Sequence, residues 1–172
     1  MGGFLFKSTC KNIIKSVIIK IEFKKIHNLK IILKSMPIIT WKDEYSVGVK
    51  ELDEQHKKLM EMINELSRLY TEKKFKNADV DKVFNEFTEY ATYHLDTEEH
   101  YFNLYGYPDK DKHVPFHDKY RAKTKELKEK YNAGKIEDVL FEINNFIYEW
   151  WTWHILNVDK EYTSFFNANG LK

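Results

Sequence analysis

A single cysteine, Cys10, in 172 residues excludes a disulfide framework and any cysteine-built zinc or iron–sulfur site. It leaves a reducing compartment, the cytoplasm, as the expected location. Six glycines and three prolines are too few for a many-turned β-sandwich, and 42% hydrophobic with 16% aromatic residues is too apolar for a disordered chain. Charge of one sign is also missing. The formal total of +1 gives no overall pull toward nucleic acid or anionic lipid. There is no Gly-rich phosphate loop, no Gly-x-Ser-x-Gly elbow and no Cys/His dyad in the helical part of the chain. What remains is a helical chain the size of one ordinary domain.

The near-neutral total hides an uneven distribution. Residues 1–35 hold eight lysines and one acid, Glu22, a net of +7, and the rest holds 20 bases and 26 acids, a net of −6. Lysines interrupt the apolar runs of the leader within a few residues, so no membrane span is expected. At 100° per residue those lysines go right round a helix, which leaves no clean apolar face for a membrane surface. Residues 1–35 are expected to be a basic, poorly ordered extension, or to precede a native start at Met36, where the composition changes. Residues 36–172 are expected to form the folded domain.

From Met36 onward the apolar period is helical. After a short arm with Trp41 and Tyr45, four stretches carry the 3-4 spacing of a bundle-facing stripe. They are His56, Leu59, Ile63, Leu66, Tyr70; then Val80, Phe84, Phe87, Ala91, His94, Glu98, Tyr101, Tyr105; then His113, His117, Tyr120, Thr124, Leu127, Tyr131; then Ile136, Leu140, Ile143, Ile147, Trp150, His154, running on past Val158 toward Phe165. Asp53, Asn77 or Asp79, and Asp109 are candidate N-caps, and Gly106-Tyr107-Pro108 and Gly134 are helix stops. Short links favour antiparallel neighbours. The expected fold is all-α, an antiparallel up-down-up-down four-helix bundle with an N-terminal arm. No further apolar stripe calls for a large interface, so a monomer is expected.

The stripes contain residues that do not belong in an oily core. His56, His94, Glu98, His113, His117 and His154 all point inward on this reading, and a buried polar group without a partner costs a few kcal/mol. One core histidine bonded to a neighbour would be unremarkable. Five of seven, drawn from all four stripes, are not. The other two are His27, in the leader, and His100, about 240° round the helix from His94. The pairs His94/Glu98 and His113/His117 are one turn apart and can each reach a common ion. Nitrogen and oxygen donors without thiolate suit iron, zinc, manganese or copper. Five imidazoles exceed what one ion takes, so two ions bridged by carboxylates are the economical answer. Asp159, five residues after His154, is the candidate second carboxylate.

The run His56, His94-x-x-x-Glu98, His113-x-x-x-His117, His154-x-x-x-x-Asp159 resembles the ligand signature of the hemerythrin family, in its single-domain bacterial form, the bacteriohemerythrins. The flanks agree: Met36-Pro-Ile-Ile-Thr-Trp41, Asp53-Glu-Gln-His56-Lys, Tyr105-Gly-Tyr107-Pro, and Trp150 ahead of His154. The resemblance runs from about Met36 to Phe166. It implies a non-haem di-iron centre, bridged by carboxylates and an oxo or hydroxo group, that binds O2 reversibly. It places His113, His117 and His154 on one iron, His56 and His94 on the other, and Glu98 and Asp159 across both. Counting those bonds gives eleven of the twelve that two octahedral ions need, which leaves one position for O2 on the two-histidine side.

Two departures stand out. Trp151 occupies the place where the family has a leucine lining the oxygen site, so an inward-pointing ring would narrow access. An i, i+5 pair lies about 140° apart on a regular α-helix, so Asp159 needs a local distortion to meet His154. Trp150, Trp151, Phe87 and Phe116 are candidate walls of an apolar oxygen pocket. The expected function is O2 carriage, storage or sensing, not catalysis. Alternatives on the same scaffold are a di-iron oxidase, peroxidase or nitric oxide reductase, and iron storage or zinc sequestration.

Overall fold

The computed structural model describes residues 38–72, 76–134 and 136–172. The expected basic extension, the start at Met36, His27 and the Ala91 side chain lie outside the described residues. Four helices form the body: α1 (Lys50–Glu72), α2 (Asn77–Tyr105), α3 (Lys110–Asn132) and α4 (Ile136–Glu149). Each packs on the next and α4 returns to α1, which closes the expected antiparallel four-helix bundle. The last helix continues as a π-helical segment, Trp150–Val158, then a 3₁₀ turn, Asp159–Tyr162, then a short α5, Thr163–Ala168.

The stripes read from the sequence are the buried faces. Leu59, Ile63, Leu66, Val80, Phe84, Phe87, Tyr120, Leu127, Leu140, Ile143 and Ile147 are all nearly inaccessible. Burial of this kind is the main favourable term of the fold, about 1.5–3 kcal/mol for each large side chain. His100 is exposed, as its place on the helix predicts.

Local chemistry sets the ends. α1 starts at Lys50, three residues before Asp53, so Asp53 is not the N-cap. Its carboxylate instead reaches back and accepts from the Val47 N–H (2.7 Å) and the Ser46 hydroxyl (2.5 Å), tying the arm to the first turn. Asp79 plays a similar part in α2, where it accepts from the Lys76 N–H at 2.8 Å. Asp109 does sit at the N-cap position of α3, without a side-chain cap bond. α2 ends at Gly106 in the left-handed conformation (φ 69°, ψ 45°), which lets the Tyr107 N–H reach the Phe102 carbonyl at 2.9 Å. The Tyr107 ring then stacks on Phe102 at 5.0 Å, and Phe102 in turn borders His113 at 4.9 Å. The arm lies along α1, where Asn64 pairs with both the N–H and the carbonyl of Ile39 at 2.8 Å.

Candidate metal centre

Each helix delivers polar side chains to one region of the core. α1 supplies His56, α2 His94 and Glu98, α3 His113 and His117, and the π-helical continuation of α4 supplies His154. Asp159 opens the 3₁₀ turn that follows. All seven are buried, with His113 the most accessible at 3%. Two sets of donor atoms lie within 4.8 Å of one another: Glu98, His113, His117 and His154 form one, and His56, His94, Glu98 and Asp159 the other. The structure therefore brings together every metal-ligating residue expected from the sequence.

Asp159 arrives by a distortion of the helix. The Asp159 N–H bonds to the His154 carbonyl, the five-residue ring of a π-helix. That wider turn carries an i, i+5 pair toward one face, and His154 Nε2 lies 3.0 Å from Asp159 Oδ1. The Asn157 side-chain amide also donates to the Thr152 and Trp153 carbonyls (3.1 and 3.0 Å), bracing the wide turn from its outer side.

The two carboxylates straddle the cluster. Glu98 turns Oε1 toward His94 (3.6 Å) and Oε2 toward His117 (3.0 Å) and His113 (3.7 Å). Asp159 turns Oδ2 toward His56 (3.4 Å) and Oδ1 toward His154 (3.0 Å) and His113 (3.2 Å). Each acid thus gives one oxygen to each set of histidines.

The Nε2 atoms of all five histidines, Glu98 Oε2 and both Asp159 oxygens are buried and lack a hydrogen-bond partner. An unsatisfied buried polar atom costs about 1–3 kcal/mol. Eight in one place rival the whole net stability of a domain, roughly 5–15 kcal/mol. Metal ions would satisfy them all, so the residues present fit a metal centre. With seven nitrogen or oxygen donors and no sulfur, the set suits iron better than zinc, which prefers four ligands.

The remaining ring nitrogens show how two imidazoles are held. His94 Nδ1–H donates to Gln55 Oε1 at 2.8 Å, and His117 Nδ1–H to Glu99 Oε1 at 2.9 Å. These bonds point the Nε2 lone pairs into the cluster. Arg121 fixes Glu99 through a 2.8 Å bond to the same oxygen and reaches Asp96 at 2.7 Å. The Tyr162 hydroxyl, fully buried, donates to Glu98 Oε1 at 2.5 Å. Gln55, Glu99 and Tyr162 were not singled out by sequence reasoning. Each bonds to a residue on another element, and no spacing rule along the chain registers such a partner.

Electrostatics follow from burial and from the two acids. Burial pulls His94 down to about 3, despite the nearby Glu98, so its ring is neutral and available as a ligand. Burial works against the charged form of His113 too, but the Asp159 and Glu98 carboxylates facing it outweigh that and hold it at about 9. Burial alone would raise both acids. The surrounding imidazoles win, and both stay well below the ordinary carboxylate range.

Of the residues expected to wall an oxygen pocket, Trp150 stacks on His154 at 3.8 Å and Phe116 meets it at 5.8 Å. Phe87 lies one layer out, against Tyr120. Trp151 is buried and meets the arm, with Tyr45 at 5.7 Å and Trp41 at 6.4 Å, both edge-on.

Comparison with known proteins agrees with this geometry. Residues 47–165 match the family model of the hemerythrin HHE cation binding domain. The chain is 30% identical over 128 residues to a bacteriohemerythrin of Clostridium acetobutylicum, covering 73% of this chain and 98% of that protein. It is equally identical to one from Methylococcus capsulatus, over 74% and 95% of the two chains. A solved hemerythrin carrying a leucine-to-tyrosine substitution superposes with a TM-score of 0.64 at 28% identity, over 75% of this chain and 97% of that one. A histidine- and carboxylate-lined bundle of this order defines a cation-binding helical protein, and the chain belongs to the hemerythrin family. Among the described residues, no helix is long and apolar enough to cross a membrane.

Proposed function

We propose that the buried cluster holds two iron ions and that the protein binds O2 reversibly, as a carrier, store or sensor, with reversible binding rather than turnover as its main activity. In this reading His113, His117 and His154 hold one ion, His56 and His94 the other, and Glu98 and Asp159 span the two. When bound, the iron pair supplies the electrons that make O2 binding strong yet reversible. The observation that carries the reading is the placement of the acids, each with one oxygen toward each set of histidines.

The protein's own part is positional. Three imidazoles stand on one side and two on the other, so an ion held by His56 and His94 would have one protein donor fewer. Gln55 and Glu99 keep His94 and His117 in the tautomer that offers Nε2. Tyr162 holds Glu98 by its Oε1. Burial and the surrounding rings keep water from the donors.

Iron-loaded, reduced protein titrated from anaerobic to aerobic buffer tests this. The reading predicts a visible charge-transfer band that appears with O2 and vanishes under vacuum over repeated cycles. Irreversible oxidation on first contact with air would refute reversible binding.

A further inference from the structure

The sequence Trp150-Trp151-Thr152-Trp153 places three indoles on the π-helical segment beside His154, and the structure treats them differently. Trp150 and Trp151 are buried, at 7% and 2%, whereas Trp153 is 53% exposed. The buried pair follows from hydrophobic packing. Trp153, by contrast, keeps about half of its indole open to solvent.

Trp153 is nonetheless close to the cluster. Its ring centre is 6.4 Å from that of His154. Phe116 fills the angle between them, 5.1 Å from Trp153 and 5.8 Å from His154. The other rings that border the cluster histidines, namely Tyr90 on His94, Phe102 and Tyr162 on His113, and Trp150 on His117 and His154, are all buried. Among the described residues, Trp153 is therefore the one oxidisable ring that both touches a cluster imidazole and opens to solvent. Phe116 is partly exposed as well, but a phenyl ring is far harder to oxidise than an indole. Lys119 lies 5.3 Å over the Phe116 ring, and the Trp153 indole itself is 53% exposed.

We propose that Trp153 is an outlet for oxidising equivalents, through which a centre oxidised by hydrogen peroxide is returned to its resting state by electron donors too large to enter the bundle. This rests on the iron-binding reading above. Reduction of one hydrogen peroxide to two waters takes two electrons and two protons. Each electron leaves the Trp153 indole toward the centre through the His154 contact, and the Nε1 proton passes to solvent. The indole radical left at the surface then takes one hydrogen atom, an electron with a proton, from a phenol or an enediol in solution. Two donors are oxidised per peroxide, so atoms and electrons balance. The buried indole of Trp150 cannot meet such a donor.

The test exposes iron-loaded protein, metal-free protein and the loaded Trp153→Phe variant to limiting hydrogen peroxide without added donor, followed by residue-level mass spectrometry and spin trapping. Tyr93, 58% exposed but without a ring contact to the cluster, is the internal control for plain surface oxidation. The proposal predicts oxygen insertion and spin-trap adducts at Trp153 in the loaded protein only. Ascorbate should suppress them, and Trp153→Phe should lose them while keeping the O2 band and iron content of the parent. Equal marking of Tyr93 and Trp153, or marking of Trp153 without iron, overturns the outlet. So does an unmodified Trp153 in protein that binds O2 reversibly, and that result leaves the iron-binding reading intact. Protein that takes up no iron overturns both.

Discussion

Replacing Glu99 by alanine isolates what a hydrogen-bond partner contributes to the centre. Glu99 touches no donor atom of the cluster other than through His117, whose Nδ1–H it accepts at 2.9 Å, and Arg121 holds it at 2.8 Å. Without it His117 loses its orienting acceptor and can take the tautomer that withdraws the Nε2 lone pair. Loss of such a partner lowers metal affinity about 10- to 100-fold, or roughly 1.4–2.7 kcal/mol. The bond is charge-assisted, which favours the upper half of that range. Arg121→Ala is the control. It removes partly exposed ion pairs to Glu99, Asp96 and Asp118 and leaves the His117 bond in place, so it should cost less than about 1 kcal/mol of metal affinity. Anaerobic competition for ferrous ion against a chromophoric chelator gives the affinities, and circular dichroism confirms the fold. Glu99→Ala binding iron within about twofold of the parent, or Arg121→Ala losing as much as Glu99→Ala, would show that the Glu99 bond does not orient His117.

Tyr162→Phe removes the 2.5 Å bond to Glu98 and leaves a fully buried oxygen with one donor fewer. The metal-free protein should lose about 1–3 kcal/mol in urea unfolding, and iron loading should recover much of it. At pH 7 His113, held at about 9, carries a proton that a metal ligand must give up. Iron uptake by metal-free protein should therefore release at least one proton, seen with a pH indicator, and affinity should rise with pH until about 9 and then level off. Trp151→Leu empties space between the π-helical segment and Trp41 and Tyr45. It should cost about 2–3 kcal/mol of stability and speed O2 release in stopped flow; unchanged release would show that Trp151 does not restrict access.

Much of this was legible in the chain, because a bundle writes its core into the sequence every three or four residues. His56, His94, Glu98, His113, His117 and His154 betray themselves as polar residues on apolar stripes, and all are buried. Asp159 does not, since an α-helical wheel turns it away. It is a candidate because two ions need a second carboxylate and because the family resemblance includes its spacing, and the π-helical turn supplies the physical reason. Helix starts were less legible. Asp53 looks like a cap but works from inside the first turn, bonding back to Ser46 and Val47, because the chain before it curls into the arm. Gln55 and Glu99 each stand next to a cluster residue, yet their partners are 39 and 18 positions away. Such pairings depend on how neighbouring helices are rotated, which no single stripe encodes.

The proposed function requires two ions that share Glu98 and Asp159. Crystals of the iron-loaded protein measured on both sides of the iron absorption edge decide it. Two anomalous peaks are expected in each bundle, one among His113, His117 and His154 and one beside His56 and His94, with a carboxylate oxygen of each acid on each peak. A single peak, or histidines hydrogen-bonded to one another around no peak at all, would contradict it.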